Sequence, residues 1–147
     1  MTPDRAGLAS EGMRILALDY GSARCGCAVS DPTHTIVTPI EPVLRPGTRR
    51  GLGRLCEMVA ERQAGMVLIG LPLGLNGADT EQTRETRRFA ERLALMLGRD
   101  VPVELYDERF TTRIAQRLGR EAGGAVGSED SRAAAHLLES WLLAGAP

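Results

Sequence analysis

Lysine is missing from this chain of 147 residues: all 18 basic side chains are arginine, set against 19 acids for a net charge of −1. With no basic excess there is no global field to gather polyanions, so any contact with nucleic acid has to be local. An all-arginine set suits phosphate, which the planar guanidinium fork grips better than an ammonium does, although genome composition explains the bias equally well. Aromatic residues make up 3% of the chain, too few for base stacking to be the main mode of recognition. The three cysteines, Cys25, Cys27 and Cys56, are odd in number and lack metal spacing. That argues against a zinc site and a disulfide framework, and points to the cytosol. No apolar run reaches membrane-spanning length, and no secretory signal is visible. His34 reads as a solvated turn residue and His136 as an exposed helix residue, neither of them a ligand.

What is present is organised around residues 13–21, MRILALDYG, an apolar run that stops at Asp19. Such a run reads as a buried strand, and a carboxylate at its end is costly to desolvate without a cation or donors nearby. Asp19 either accepts bonds from its own turn, as Asp often does before Gly, or belongs to a site. Residues 1–12 lack periodicity and read as a disordered leader, with Met13 a candidate start; residues 13–147 read as one domain. Arg24–Ser30 is a second strand with Cys25, Cys27 and Val29 on one face and Gly26 and Ala28 on the other. The cysteines there are expected to act as small buried hydrophobes. Thr35–Leu44 is a third strand, placed at an edge by Pro39 and Pro42.

From Gly47 to Ala64, Leu52, Leu55, Met58 and Val59 recur at helical spacing. The unbroken run Met66–Ile69 is a strand buried on both faces, opening into a Gly- and Pro-punctuated loop over 70–77. Asp79 or Thr80 caps a second helix with a stripe of Phe89, Leu93, Met96 and Leu97. Val101–Tyr106 is a fifth strand, followed by a short helix (Ile114, Leu118), a flexible 119–127 stretch, and a last helix from about Ser128 to Ala144. The order β-β-β-α-β-α-β-α-α gives an α/β, ribonuclease-H-like fold: a five-stranded mixed sheet with helices on both faces.

Asp19 and Glu108 then sit at two strand ends, and open at one rim if those strands are neighbours. Asp130, at the start of the last helix, shares a face with Ala134, Leu137 and Trp141 at spacings of four, seven and eleven, so it is expected to point inward. Three acids with no His or Cys nearby make an oxygen-only site for Mg²⁺ or Mn²⁺. Two such ions can drive phosphodiester hydrolysis. Each acid also has a plainer reading. Asp130 suits a helix N-terminus through the dipole, and Glu108 could pair with Arg109 or Arg113 at the surface. Arg109, Arg113, Arg117 and Arg120 line one flank of the short helix as candidate phosphate contacts, while Arg84, Arg88 and Arg92 read as a solvated face laced with acids.

Four blocks carry a resemblance: residues 17–31 (ALDYGSARCGCAVSD), 69–77 (IGLPLGLNG), 107–112 (DERFTT) and 130–142 (DSRAAAHLLESWL). Together, and in this order, they are similar to the signature blocks of the bacterial YqgF/RuvX family. The resemblance implies a ribonuclease-H-like, metal-dependent endonuclease that matures the 5′ end of 16S ribosomal RNA or resolves Holliday junctions. By block position its catalytic acids fall on Asp19, Glu108 and Asp130, with Arg109 as a neighbouring phosphate contact. The chain departs from the family in its neutral 123–127 stretch, where a basic loop is usual, and in Cys25 and Cys27, where branched apolar residues are usual.

The resulting expectation is two metal ions held by Asp19, Glu108 and Asp130, with a metal-bound water attacking the phosphodiester. A symmetrical DNA junction needs two cuts and would favour a homodimer, whereas an RNA precursor would not require one. Two other readings stay open. An Asp-x-Gly strand end also begins sugar kinases and actin-like ATPases, which need two such domains, and the domain could bind structured nucleic acid without cutting it.

Overall fold

The computed structural model describes residues 12–111 and 129–144. The leader up to residue 11, the short helix around Ile114 and Leu118, and Arg113, Arg117 and Arg120 lie outside these described residues.

Five strands form one sheet: β1 (Arg14–Asp19), β2 (Arg24–Ser30), β3 (Val37–Leu44), β4 (Ala64–Leu71) and β5 (Val103–Asp107). Their order is β3-β2-β1-β4-β5. The first three make the expected antiparallel meander, with proline-bearing β3 at the edge, and β1 runs parallel to β4 and β4 to β5. The C-terminal ends of β1, β4 and β5 therefore open at one rim. Every residue of β4 is buried, as its unbroken apolar run requires of a central strand.

Strand alternation sorts the core into two layers. Leu16, Leu18, Cys25, Cys27, Val67 and Ile69 face one side of the sheet. There they meet Leu52, Leu55, Met58 and Val59 of helix α1 (Arg49–Glu61), and Phe89 and Leu93 of helix α2 (Glu81–Leu97). Ile15, Ala17, Met66, Leu68 and Tyr106 face the other side, against Leu137, Leu138 and Trp141 of helix α3 (Glu129–Leu143). Trp141 is essentially fully buried. Truncating a side chain of that size in a core typically costs about 3–5 kcal/mol, so α3 is held firmly to this face. The cysteines behave as small core hydrophobes.

The helix starts follow from local chemistry. Thr48 caps α1 by accepting from Gly51 N, and Thr80 and Thr83 form a reciprocal capping box on α2. Two details differ from the sequence reading. Met96 is 51% exposed, because it falls at the edge of the α2 stripe, while Leu97, one residue on, packs against the core. His34 is no mere solvated residue: its Nε2 lies 2.8 Å from the carbonyl oxygen of Met13, tying the β2–β3 turn to the start of β1. Among the described residues, no helix is long and apolar enough to cross a membrane.

Candidate active site

Alternation along β1 puts Asp19 on the same side of the sheet as Ile15 and Ala17, the side covered by α3. The next residue, Tyr20, anchors the strand end the other way. Its ring stacks on Phe89 with centroids 4.4 Å apart, and its hydroxyl donates to Glu85 at 3.0 Å. Asp19 is thereby held at the rim between α3 and the sheet.

Glu108 follows β5 directly and begins a 3₁₀ turn, Glu108–Phe110. Its side chain lies over Gly70 of β4, the strand between β5 and β1: a methyl on Gly70 would sit 2.7 Å from Glu108 Oε1. The missing side chain leaves a passage through which Glu108 reaches Asp19, and the two carboxyl groups are hydrogen-bonded. Burial first, and then the Asp19 charge, raise the Glu108 carboxyl to about 7. Asp19 is also raised, chiefly by burial and further by the charge of Asp130, with the bond from Glu108 acting the other way. Both shifts favour the protonated form, so the metal-free pair resists carrying two negative charges.

Asp130 enters on the first turn of α3, which docks on β2 at Gly26, the register partner of Asp19. A methyl on Gly26 would come 1.9 Å from the Asp130 carbonyl oxygen. Ser131 completes the joint, accepting from Cys27 N at 3.2 Å and donating to the Ile40 carbonyl at 2.6 Å. The Asp130 backbone is thus packed inward, but its side chain is 41% exposed, with Oδ2 3.9 Å from Arg24 Nε. Spacing alone had suggested a fully inward carboxylate. Close packing of the first helical turn on Gly26 instead leaves the side chain at the mouth of the site.

Among the described residues, no group of three or more His, Cys, Asp or Glu already stands in an arrangement that could hold a metal ion. The structure brings Asp19 and Glu108 together and keeps Asp130 within electrostatic reach, turned toward Arg24. The donor set still suits a hard cation. Two partly buried carboxyls that resist carrying two negative charges gain from a divalent ion, and all the oxygens are hard ligands.

Arg109 does not pair with Glu108. Its Nε and Nη2 grip Asp107, the closest contact being 2.6 Å, and its Nη1 donates to the Leu75 carbonyl at 3.4 Å. The arginine holds the Asp107 carboxyl below the usual range. It also pins the 70–77 loop, itself closed by Gly74 N to Ala78 O at 2.9 Å and Gly77 N to Gly74 O at 2.8 Å. Arg113 and Arg117 fall outside the described residues.

Sequence reading missed Gly26, Gly70, Ser131 and Asp107. The glycines carry no chemistry of their own, and only Gly70, opening a rigid loop after a buried strand, offered a signal of close approach.

The raised Glu108 carboxyl sets a pH dependence. The metal-free folded chain holds the Glu108 proton up to about pH 7, whereas the unfolded chain releases it near the ordinary glutamate value of 4.5. Its contribution to stability is complete below pH 4.5 and is lost as pH rises through 7. Glu108→Gln keeps a donor toward Asp19 without the charge. In EDTA it should be more stable than wild type at pH 8 by about 1–2 kcal/mol after allowance for solvent screening, and no different near pH 4.5. Thermal melts across that range check this; parallel curves would show that the Glu108 carboxyl is not raised.

Comparison with known proteins places the chain. The family model RuvX, described as Holliday junction resolvase, matches residues 13–144. A provisionally named pre-16S rRNA nuclease of Maridesulfovibrio salexigens is 36% identical over 134 residues, covering 88% of this chain and 98% of the relative. One of the same name from Mycobacterium leprae is 41% identical over 133 residues, covering 88% and 72%. Among solved structures, Thermus thermophilus RuvC superposes with a TM-score of 0.62 at 14% identity, covering 91% of this chain and 98% of RuvC. The fowlpox virus resolvase, solved with Holliday junction DNA, gives 0.57 at 12%, covering 92% and 100%. These likenesses bear out the ribonuclease-H-like fold. The chain belongs to the RuvX family, and with it to the nucleases that hydrolyse phosphodiester bonds.

Proposed function

We propose that this protein is a metal-dependent endonuclease acting on structured nucleic acid, with Asp19, Glu108 and Asp130 as its metal-holding catalytic acids. The observation that carries the reading is the Asp19–Glu108 pair, two carboxyls from the ends of β1 and β5 that approach each other over Gly70 of the intervening β4. Two Mg²⁺ or Mn²⁺ ions, when bound, would polarise the phosphodiester and supply a nucleophilic water at neutral pH. The chain's own part is to provide oxygen ligands at a rigid sheet rim and to orient the substrate. Asp19 and Glu108 form the inner pair, and Asp130 completes the set from the mouth. Arg109, with its fork fixed by Asp107, offers its remaining N–H groups to a phosphate beside the scissile bond. Arg113 and Arg117 extend the same segment as further phosphate contacts.

Two substrates follow from the relatives: a pre-16S rRNA, as in the names of the Maridesulfovibrio and Mycobacterium proteins, and a four-way DNA junction, as in the family description. The deciding assay presents both to the wild-type protein with Mg²⁺, Mn²⁺ or EDTA. Cleavage with metal and none in EDTA is the expected result, and the substrate cut faster names the task. In parallel, Mn²⁺ should raise the melting temperature of wild type and leave Glu108→Gln little changed. Retained binding without cleavage under every metal condition would replace this reading with a non-catalytic binding module.

A further inference from the structure

Beyond the acids, the rim continues to the sheet edge along the meander. Arg24 of β2 is the register partner of Leu44, the last residue of β3, and the chain then turns through Arg45 into α1. A groove of about 720 Å³ lies here, lined by Arg45, Thr48, Arg50, Arg54 and Glu57 among others. The acids of this flank are already engaged: Arg54 lies 3.6, 3.5 and 3.1 Å from Glu41, Glu57 and Glu61, and Arg62 lies 3.8 Å from Glu41. Arg45, Arg49 and Arg50 are exposed, and no ion pair with any described residue involves them.

Two features of these three arginines work against the stability of the free protein. Arg45 has φ of 45°, a left-handed backbone that costs a side-chain-bearing residue energy. It is held there from several sides. Its N–H donates to Ala23 O at 2.9 Å, and its carbonyl accepts from Thr48 N at 3.1 Å and Thr48 Oγ1 at 2.7 Å. Gly51 lets α1 close in, since a methyl there would meet that carbonyl at 2.1 Å. Arg49 and Arg50 occupy the first two positions of α1, whose first turn has no acid. Positive charge there opposes the helix dipole. What suits the groove to an anion is that Arg45 and Arg50 at it and Arg49 beside it are exposed and have no ion pair among the described residues.

We infer that this groove binds backbone phosphates of the substrate nucleic acid a few nucleotides from the scissile bond, with Arg45 and Arg50 of its lining as the contacts and Arg49 exposed beside them. The inference rests on the nuclease reading and deepens it. Arg45 lies two strand positions from β1, about 10 Å at the usual strand spacing. At a rise of about 3.4 Å per nucleotide, that is roughly three nucleotides along one strand. Arg24, 3.9 Å from Asp130 and in register with Leu44, the residue before Arg45, lies on the same rim as the groove.

The test measures affinity against KCl concentration, with Ca²⁺ in place of Mg²⁺, for a four-way DNA junction and a pre-16S rRNA fragment. On the probe that wild type binds, Arg45→Ala/Arg50→Ala should weaken Kd at least about tenfold and flatten the salt slope by roughly 1.5–2, two phosphate contacts' worth. Arg45→Lys/Arg50→Lys should restore most of the slope. Arg45→Gly/Arg50→Glu should melt about 2–4 °C higher, because glycine accepts the backbone and glutamate suits the helix start, yet bind more weakly than the alanine pair. An alanine pair with wild-type Kd and slope overturns the groove while leaving the nuclease reading intact. Wild type with no affinity for either probe overturns the nuclease reading itself.

Discussion

Asp19→Asn should abolish measurable turnover, lowering cleavage on the order of 10³-fold, while the protein folds as before. Asparagine keeps the shape of the side chain and removes one of the two carboxyls that meet across Gly70. If a bound divalent ion stabilises the transition state by several kcal/mol, losing an anionic ligand at the centre of the site forfeits a large part of that. Stability should move the other way or not at all. Asp19 is partly buried, and in the metal-free chain it lies under the repulsion of Asp130. The melting temperature in EDTA should therefore match or exceed that of wild type, and the Mn²⁺-induced rise should vanish. Single-turnover cleavage and melts with and without Mn²⁺ decide the matter. A variant that cuts at the wild-type rate would remove Asp19 from the catalytic set, and with it the reason for the paired carboxyls.

Gly26→Ala should be the most damaging single methyl in the described part of the fold. Its Cβ would lie 1.9 Å from the Asp130 carbonyl oxygen, 2.2 Å from that carbonyl carbon and 2.7 Å from Ser131 N. All three are backbone atoms, so no side-chain rotation relieves the clash, and the first turn of α3 has to lift off β2. Lifting it breaks the two Ser131 bonds, to Cys27 N and the Ile40 carbonyl, both buried. Overpacking with loss of buried hydrogen bonds puts the cost at about 3 kcal/mol or more. For a chain of this size that is roughly a 10 °C fall in melting temperature. Cleavage should fall as well, even below the melting transition, because Asp130 moves away from Asp19. A Gly26→Ala protein that melts with wild type would show that α3 does not dock through this contact. At Gly70 the same substitution meets a flexible Glu108 carboxylate, so it should displace the acid more than it unfolds the chain.

Much of the fold was legible because its elements obey local rules. The apolar run into Asp19, the continuous run of β4, the prolines of the edge strand and the four-residue stripe of α1 each name their element without knowledge of the rest. Where a reading failed, the missing fact was what lay opposite. Met96 lies at the edge of the α2 stripe and turns to solvent where Leu97 packs inward, and His34 bonds a residue twenty-one positions away.

The candidate site divides along the same line. By itself the sequence determined which residues bring carboxylates to chain positions near strand and helix ends: Asp19, Glu108 and Asp130. Residue type and position in the chain are local properties. Tertiary structure alone decided that Asp107 holds Arg109 while its neighbour Glu108 reaches Asp19, since adjacent residues at a strand end project to opposite sides. It also decided that two absent side chains, at Gly26 and Gly70, set the spacing of the acids, and that Asp130 rests toward Arg24. Those outcomes depend on contacts between residues dozens of positions apart, and on space left empty, which no local pattern in the chain encodes.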